Sequence, residues 1–304
     1  MPNLLDIRRR IRTVKNTQQI TKAMKMVSAA KLRRAQDQAV AARPYAQRLY
    51  HLMEDLAAHV DVATVADGAE GLAGTGGVNL ADLLVSRPVR RIQLIAISSD
   101  KGLAGSFNAN VYKAVYSFIE EHPGVAVQLE LVGRKVRDFF RSRPLPISGE
   151  HLGVFGKTVD FEAVRAIAQA VSQRYANGEV DEVYLIGNEF KTVLTQKVET
   201  HRILPLEVPE RKSGEDEGRS YLFDSPPAEL LARLLPRYLE TQIYRSLLES
   251  FAGEHAARMN AMDAATRNAG DLIDTLTLNM NRVRQAAITK EIIEIVSGAS
   301  ALNQ

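Results

Sequence analysis

The chain has 304 residues, 45% of them hydrophobic and 25% charged, with a formal net charge of only +3; that is room for one large domain or two smaller ones around a buried core. It has no cysteine, which excludes disulfides, thiolate metal sites and thiol redox control, and its six histidines (His51, His59, His122, His151, His201, His255) lack ligand-like spacing. No run approaches the ~20 apolar residues that span a bilayer, and the start MPNLLDIRRR lacks the apolar core of a signal peptide, so a soluble, cytosolic chain is expected.

From about Asn3 to about His59 there is no glycine and one proline, Pro44, among good helix formers. The composition predicts one long helix over roughly residues 1–60, with a bend at Pro44 where a backbone donor is lost. At ~1.5 Å per residue it is roughly 80 Å long, too long for a compact core. Between Arg8 and Gln36 it carries ten Lys or Arg and not one Asp or Glu. Residues 61–87 read as a mobile linker, with five glycines between Gly68 and Gly77.

Residues 88–210 then alternate strand and helix: RIQLIAIS (91–98), NANVYKAVYSFIEE (108–121), VAVQLELVG (125–133), a helix over 159–178 closed by Gly178, and the strands EVYLIGNEF and VLTQKVETHRILPL. That alternation predicts an α/β layer on a largely parallel sheet. Residues 211–236 read as a charged linker followed by SPPAELLARLL, a helix that starts with Ser225 as N-cap and Pro226 or Pro227 in its first turn. Pro236 is expected to break it, and a new helix to run from 237 towards the end of the chain.

The last helix carries Met262, Ala265, Ala269, Leu272, Leu276, Met280, Val283 and Ala287 at spacings of 3 or 4, a coiled-coil seam. Its expected partner is the first helix, through Ile7, Ile11 and Val14 and then, after a shift of phase, Ile20, Ala23, Val27 and Ala30. Further on, Ile288, Ile292, Ile293, Ile295, Val296, Ala299 and Leu302 spread round most of the helix. Such a segment needs enclosure, and no other helix of the chain is left to provide it. If that segment begins near Ile288, antiparallel partners have numbers summing to about 290, and Ala23 or Val27 approaches Ala265 or Ala269.

Two stretches invite an enzyme reading. GVFGKT (153–158) resembles part of a phosphate-binding loop, but His151 stands where the first glycine is required, and RPLPISGE before it does not read as a buried strand. SSDKGLAGSFN (98–108) lies between strand and helix, where α/β sheets bind ligands, yet Gly102 and Gly105 are too few for a dinucleotide fingerprint. It reads as a tight turn capped by Ser or Asn. The basic run of the first helix leaves three readings open: a solvated face, a nucleic-acid contact, or mating with an acidic protein surface.

IRRRIRTVKNTQQITKAMKMVSAAKLRRAQ, RMNAMDAATRNAGDLI and RQAAITKEIIEIVSGASAL resemble the terminal signatures of the gamma-subunit family of the rotary F-type ATP synthase, SSDKGLAGSFN its central turn and YLFDSP its foot, in order along essentially the whole chain. The resemblance implies a long antiparallel two-helix coiled coil formed by the terminal helices plus a central Rossmann-like α/β domain. It implies a non-catalytic rotor without cofactors that couples ion-driven rotation of the c-ring to ATP synthesis or hydrolysis in beta subunits. The implied partners are a ring of three alpha and three beta subunits, epsilon and the c-ring; the implied location is peripheral, on the cytoplasmic face of a bacterial plasma membrane. A basic coiled-coil nucleic-acid-binding protein is the alternative.

By position, the resemblance assigns Met24, Lys25, Arg33, Arg34, Arg258, Arg284, Gln285, Thr289 and Glu291 to the beta-subunit interface, with Lys22, Lys25, Lys31, Arg33 and Arg34 presented outward. Ile288, Ile292, Ile295 and Val296 become an apolar bearing tip, and Tyr221, Phe223 and Asp224 the c-ring foot. Lys101, Ala104 and Ser106 stand where many relatives carry Arg, Cys and Gly, and the Cys-bearing insert of chloroplast relatives is absent.

Overall fold

Glycine-free and rich in Ala, Leu, Lys and Arg, the start of the chain forms one helix, α1 (Leu4–Ala58), which runs on through Pro44. The computed structural model describes residues 4–59, 80–156, 158–193, 195–207 and 224–302, so the glycine-rich stretch and the whole of 208–223 lie outside the described residues. The chain divides into two compact units, Met1–Ala29 with Arg258–Gln304, and Ala30–Ala257.

In the larger unit a 3-10 turn (Leu80–Leu84) leads to β1 (Arg91–Ile97), α2 (Phe107–Glu121), β2 (Ala126–Val132), α3 (Arg134–Phe140), β3 (Ile147–His151), α4 (Phe161–Ala176), β4 (Glu182–Phe190) and β5 (Gln196–Leu204). The sheet order is β3-β2-β1-β4-β5; the first four strands are parallel and β5 runs antiparallel to β4. β1 is buried on both faces, as a central parallel strand must be. Its Ile92, Leu94 and Ala96 join Leu129, Leu131, Val111, Val115, Val136 and Phe140 in the core under α2 and α3. RPLPISGE does form a strand, β3, but an edge strand that is half-buried, and for that reason it lacks the apolar run that would have announced it.

The last helix, α5 (Pro227–Leu302), starts on Pro227 as expected but is not broken at Pro236. An interior proline costs about 3 kcal/mol. Leu231, Ala232, Leu235 and Leu239 around it are fully buried, and each leucine is worth about 1.5–3 kcal/mol, so packing wins. Further along, α5 lies against the central domain: Phe251 stacks on Phe155 with centroids 5.8 Å apart, Tyr244 meets Phe161 edge-on at 5.4 Å, and Gly253 sits over Phe107, Asn188 and Gln196.

Gln93 and Glu130, on the face of the sheet that meets α4, are fully buried polar residues with no counterpart in the sequence reading. Glu130 accepts hydrogen bonds from Gln93 Nε2 and Ser148 Oγ at 2.8 Å, and from His151 Nε2 and Arg174 Nη1 at 2.6 Å. Gly149 makes room for this carboxylate, since a Cβ there would lie 2.2 Å from Glu130 Oε1. Burial pushes the Glu130 carboxyl up, but the His151 and Ser148 hydrogen bonds and the charge of Arg174 outweigh it and hold the group below its ordinary value of 4.5. A carboxyl depressed on folding stabilises above its unfolded pKa, and that contribution fades as pH falls through the folded one. Glu130→Ala, which leaves Gln93, His151 and the half-buried Arg174 without their shared carboxylate, should cost about 3 kcal/mol in urea denaturation at pH 7. The gap between variant and parent should shrink below pH 4.5; a constant gap from pH 7 to pH 3 would show that the charge is not what stabilises.

Candidate functional site

The smaller unit joins the first part of α1 to the last part of α5. Along α1 the shielded seam of this unit is Ile7, Ile11, Val14, Gln18, Thr21, Lys25 and Ser28, an unbroken alternation of four and three residues. On α5 they are Met262, Thr266, Ala269, Ile273, Leu276, Met280 and Val283, with the same alternation. The expected change of phase after Val14 does not occur. Polar Gln18, Thr21 and Lys25 continue the α1 seam, and on α5 Ile273 replaces Leu272, which is 47% exposed.

The polar layer closes by hydrogen bonds. Thr21 Oγ1 and Thr266 Oγ1 are 2.8 Å apart, Gln18 Nε2 donates to the Thr266 carbonyl at 3.3 Å, and Lys25 Nζ donates to Asp263 Oδ1 at 2.5 Å. The Lys25 hydrogen bond comes first among the influences that hold the Asp263 carboxyl below its ordinary range. The numbers of the paired residues, 21 and 266 or 25 and 263, sum to 287 and 288, antiparallel and close to the expected register.

Ile20, Ala23, Val27 and Ala30 therefore form a second line, on the outward side of α1, where Ile20 and Val27 are 59% and 58% exposed. Lys22 is exposed and Met24 half-shielded; in the larger unit Arg33 and Arg34 of α1 are exposed and Lys31 is half-buried. Two assigned interface residues sit otherwise than an outward-facing side chain would: Lys25, 43% exposed, reaches across the pair to Asp263, and Arg258 is buried, 6% exposed. Arg284, Gln285, Thr289 and Glu291 are exposed; Thr289 Oγ1 donates to the Gln285 carbonyl at 2.9 Å.

With pairs summing to 287, Val283 comes opposite Leu4, where the described part of α1 begins, and every residue from 284 to 297 is exposed. Ile288, Ile292, Ile293, Ile295 and Val296 are 49–65% exposed there, so no described residue covers this apolar end. Of the foot, Tyr221 and Phe223 lie outside the described residues and Asp224 is exposed.

Several donors of the two enzyme-like loops are used internally. Between β3 and α4, Gly156 N–H donates to the Thr158 carbonyl and Asp160 N–H to the Val154 carbonyl, while His151 is held by Glu130; Lys157 lies outside the described residues. After β1, Ser99 N–H donates to Asn108 Oδ1 at 3.1 Å and Ser98 N–H to the Val132 carbonyl at 2.9 Å. The turn is tight as expected, but Asn108 ties it, and the N-cap Ser106 makes no side-chain cap. Among the described residues no group of three or more His, Asp or Glu could hold a metal ion.

A family model described as ATP synthase matches residues 3–302. An ATP synthase gamma chain from Solibacter usitatus is 54% identical over 301 residues, 99% of each chain, and one from Pelotomaculum thermopropionicum is 46% identical over 302 residues, 99% of this chain and 100% of the relative. Among solved structures, a chain of the Euglena gracilis mitochondrial ATP synthase, described as OSCP/F1/c-ring, superposes with a TM-score of 0.63 at 17% identity, covering 98% of this chain and 94% of its own. A chain of the Tetrahymena thermophila central stalk and c-ring gives 0.56 at 24% identity, covering 81% and 99%. These two likenesses show a shared fold.

The observed register yields a direct check, made clean by the absence of cysteine. Thr21→Cys with Thr266→Cys should form a disulfide on mild oxidation, seen as loss of free thiol, because the two hydroxyls already touch at 2.8 Å. Ala23→Cys with Ala269→Cys should stay reduced, since Ala23 is exposed on the outward line. The reverse pattern would refute the register.

Proposed function

Because the chain belongs to the ATP synthase gamma-chain family, matched from end to end, we propose that it is the central rotor stalk of an F1Fo ATP synthase, turned by an ion-driven c-ring and driving the nucleotide sites of three beta subunits through their states. The observation that carries this reading is the end of the helix pair. Beyond Val283 α5 continues with five large apolar side chains that no described residue covers, which suits a bearing inside a sleeve supplied by other chains. The sleeve is the ring of three alpha and three beta subunits.

The outward line of α1 supplies the coupling surface. Ile20 and Val27 give apolar contact, and Lys22, Lys31, Arg33 and Arg34 complement acidic loops of the beta subunits. A two-helix rod presents a different side to each of three identical neighbours. Only such differential contact can shift their populations, and moving a two-state site from 1:99 to 99:1 takes about 5.5 kcal/mol.

In this reading the chain itself is non-catalytic and the chemistry stays on the beta subunits, which suits the internal use of Gly156, Asp160 and Ser99 N–H groups in its two phosphate-like loops. Tyr221, Phe223 and Asp224 form the foot on the c-ring, and epsilon docks beside it. The location is peripheral, on the cytoplasmic face of a bacterial plasma membrane, in keeping with bacterial relatives and with the finding that, among the described residues, no helix is long and apolar enough to cross a membrane. The nucleic-acid alternative finds no support in the relatives' names, and Lys25, one of its cations, is spent on Asp263.

Ile20→Asp with Val27→Asp leaves the seam untouched. In a reconstituted enzyme it should lower ATP-driven ion pumping by about thirtyfold, as loss of two contacts worth ~1 kcal/mol each requires. Helicity should be unchanged. Normal pumping by a correctly folded double variant would remove this face from the coupling mechanism.

A further inference from the structure

At the edge of the sheet where β1 and β4 begin, the sequence RPVRR (87–91) places three arginines in five residues. They border an open cleft of about 530 Å³ whose other wall is the end of α4, Asn177 and Gly178, and Asp181. Two of the guanidiniums are anchored from behind. Arg87 Nη1 donates to the Tyr175 carbonyl at 2.7 Å and its guanidinium lies 5.2 Å from the Tyr175 ring centroid, while Arg91 Nη2 donates to the Gly178 carbonyl at 2.5 Å. Each of those contacts uses one of five N–H donors, so most of each fork remains free but fixed in direction.

The one acid on the cleft is occupied elsewhere. Asp181 Oδ2 accepts the backbone N–H groups of Arg90 and Arg91 at 2.9 Å each, and its Oδ1 is 4.0 Å from Arg91 Nη2. Capping the carbonyl end of α4 explains Arg87 and Arg91 one at a time. It does not explain Arg90, which is exposed and makes no ion pair among the described residues. Three cations against one carboxylate leave the cleft a formal surplus of two positive charges, which the partial negative charge of the α4 carbonyl end, about half a charge, only partly offsets.

We propose that this cleft binds a phosphoryl anion through Arg87, Arg90 and Arg91. Guanidinium forks match the tetrahedral oxygens of a phosphate better than they match bulk water, and the pre-anchored pair lowers the ordering cost of binding. The same chemistry has two sources, free phosphate or pyrophosphate and the headgroup of an anionic phospholipid. The site does not depend on the rotor reading, since every residue in it belongs to the central domain.

The purified full-length chain tests both sources at constant physiological ionic strength. Calorimetric titration with inorganic pyrophosphate and flotation with phosphatidylglycerol vesicles, with phosphatidylcholine vesicles as the neutral reference, are run on the parent, on Arg90→Glu and on Arg33→Glu, which lies on α1. The expected result is binding of at least one probe, with a Kd near or below ~1 mM for pyrophosphate if that is the source, weakened about tenfold or more by Arg90→Glu and unchanged by Arg33→Glu. Response in the vesicle arm alone assigns the headgroup, and response in the titration assigns the free anion. Binding that is absent in both arms, or that Arg33→Glu weakens as much as Arg90→Glu does, overturns the proposal.

Discussion

Neither terminal helix of this chain can bury its seam by itself; each has the other. Helices in water owe their stability mainly to such packing, and the α/β domain is too small to cover both along their length. In the smaller unit the pairing is not a uniform apolar zipper. Ile7, Ile11 and Val14 face the level of Ile273, Leu276, Met280 and Val283, but the next turns meet through Gln18, Thr21, Thr266 and the Lys25–Asp263 pair. The ion pair is more than a third exposed on each side, so its worth is small and its main effect is geometric. Polar seams of this kind single out one register at some cost in stability.

The central domain stiffens in a different way. Its sheet is apolar on the face under α2 and α3, whereas the opposite face hides a carboxylate shared by three strands and a helix through Gln93, Ser148, His151 and Arg174. Because the half-buried edge strand β3 contributes two of those partners, the network ties that edge into the sheet. The loop that follows β3 then carries Phe155 onto Phe251 of α5. A polar cluster in the sheet and an aromatic contact on the long helix thus belong to one continuous piece of structure.

The long helices, the parallel strands and the apolar end were legible because each follows a period or a composition. What failed did so for identifiable reasons. The seam was misread after Val14 because apolarity was followed to Ile20 and Val27, while the true line kept its spacing through Gln18, Thr21 and Lys25; counting fours and threes without regard to polarity would have found it. Pro236 was given its local cost without the burial of Leu235 and Leu239 beside it. Glu130 was invisible because a charged residue in a strand looks like a solvated face until its four partners, between 18 and 44 residues away, are brought together. The interface assignment of Lys25 and Arg258 rests on position alone, and position does not say which way a side chain turns.

The pairing of Thr21 with Thr266 spans 245 residues of chain. A ribosome adding about 5–20 residues per second takes roughly 12–50 s to cover that distance. The sheet, complete by Leu204, can close within that interval. α1 cannot: Ile7, Ile11 and Val14 leave the ribosome roughly 260 residues or more ahead of their partners Ile273, Leu276 and Met280, so every new molecule passes through a stage in which a basic helix waits with its apolar edge open. Ten cations without an acid between Arg8 and Gln36 give such half-made chains a like charge, and like charges oppose association.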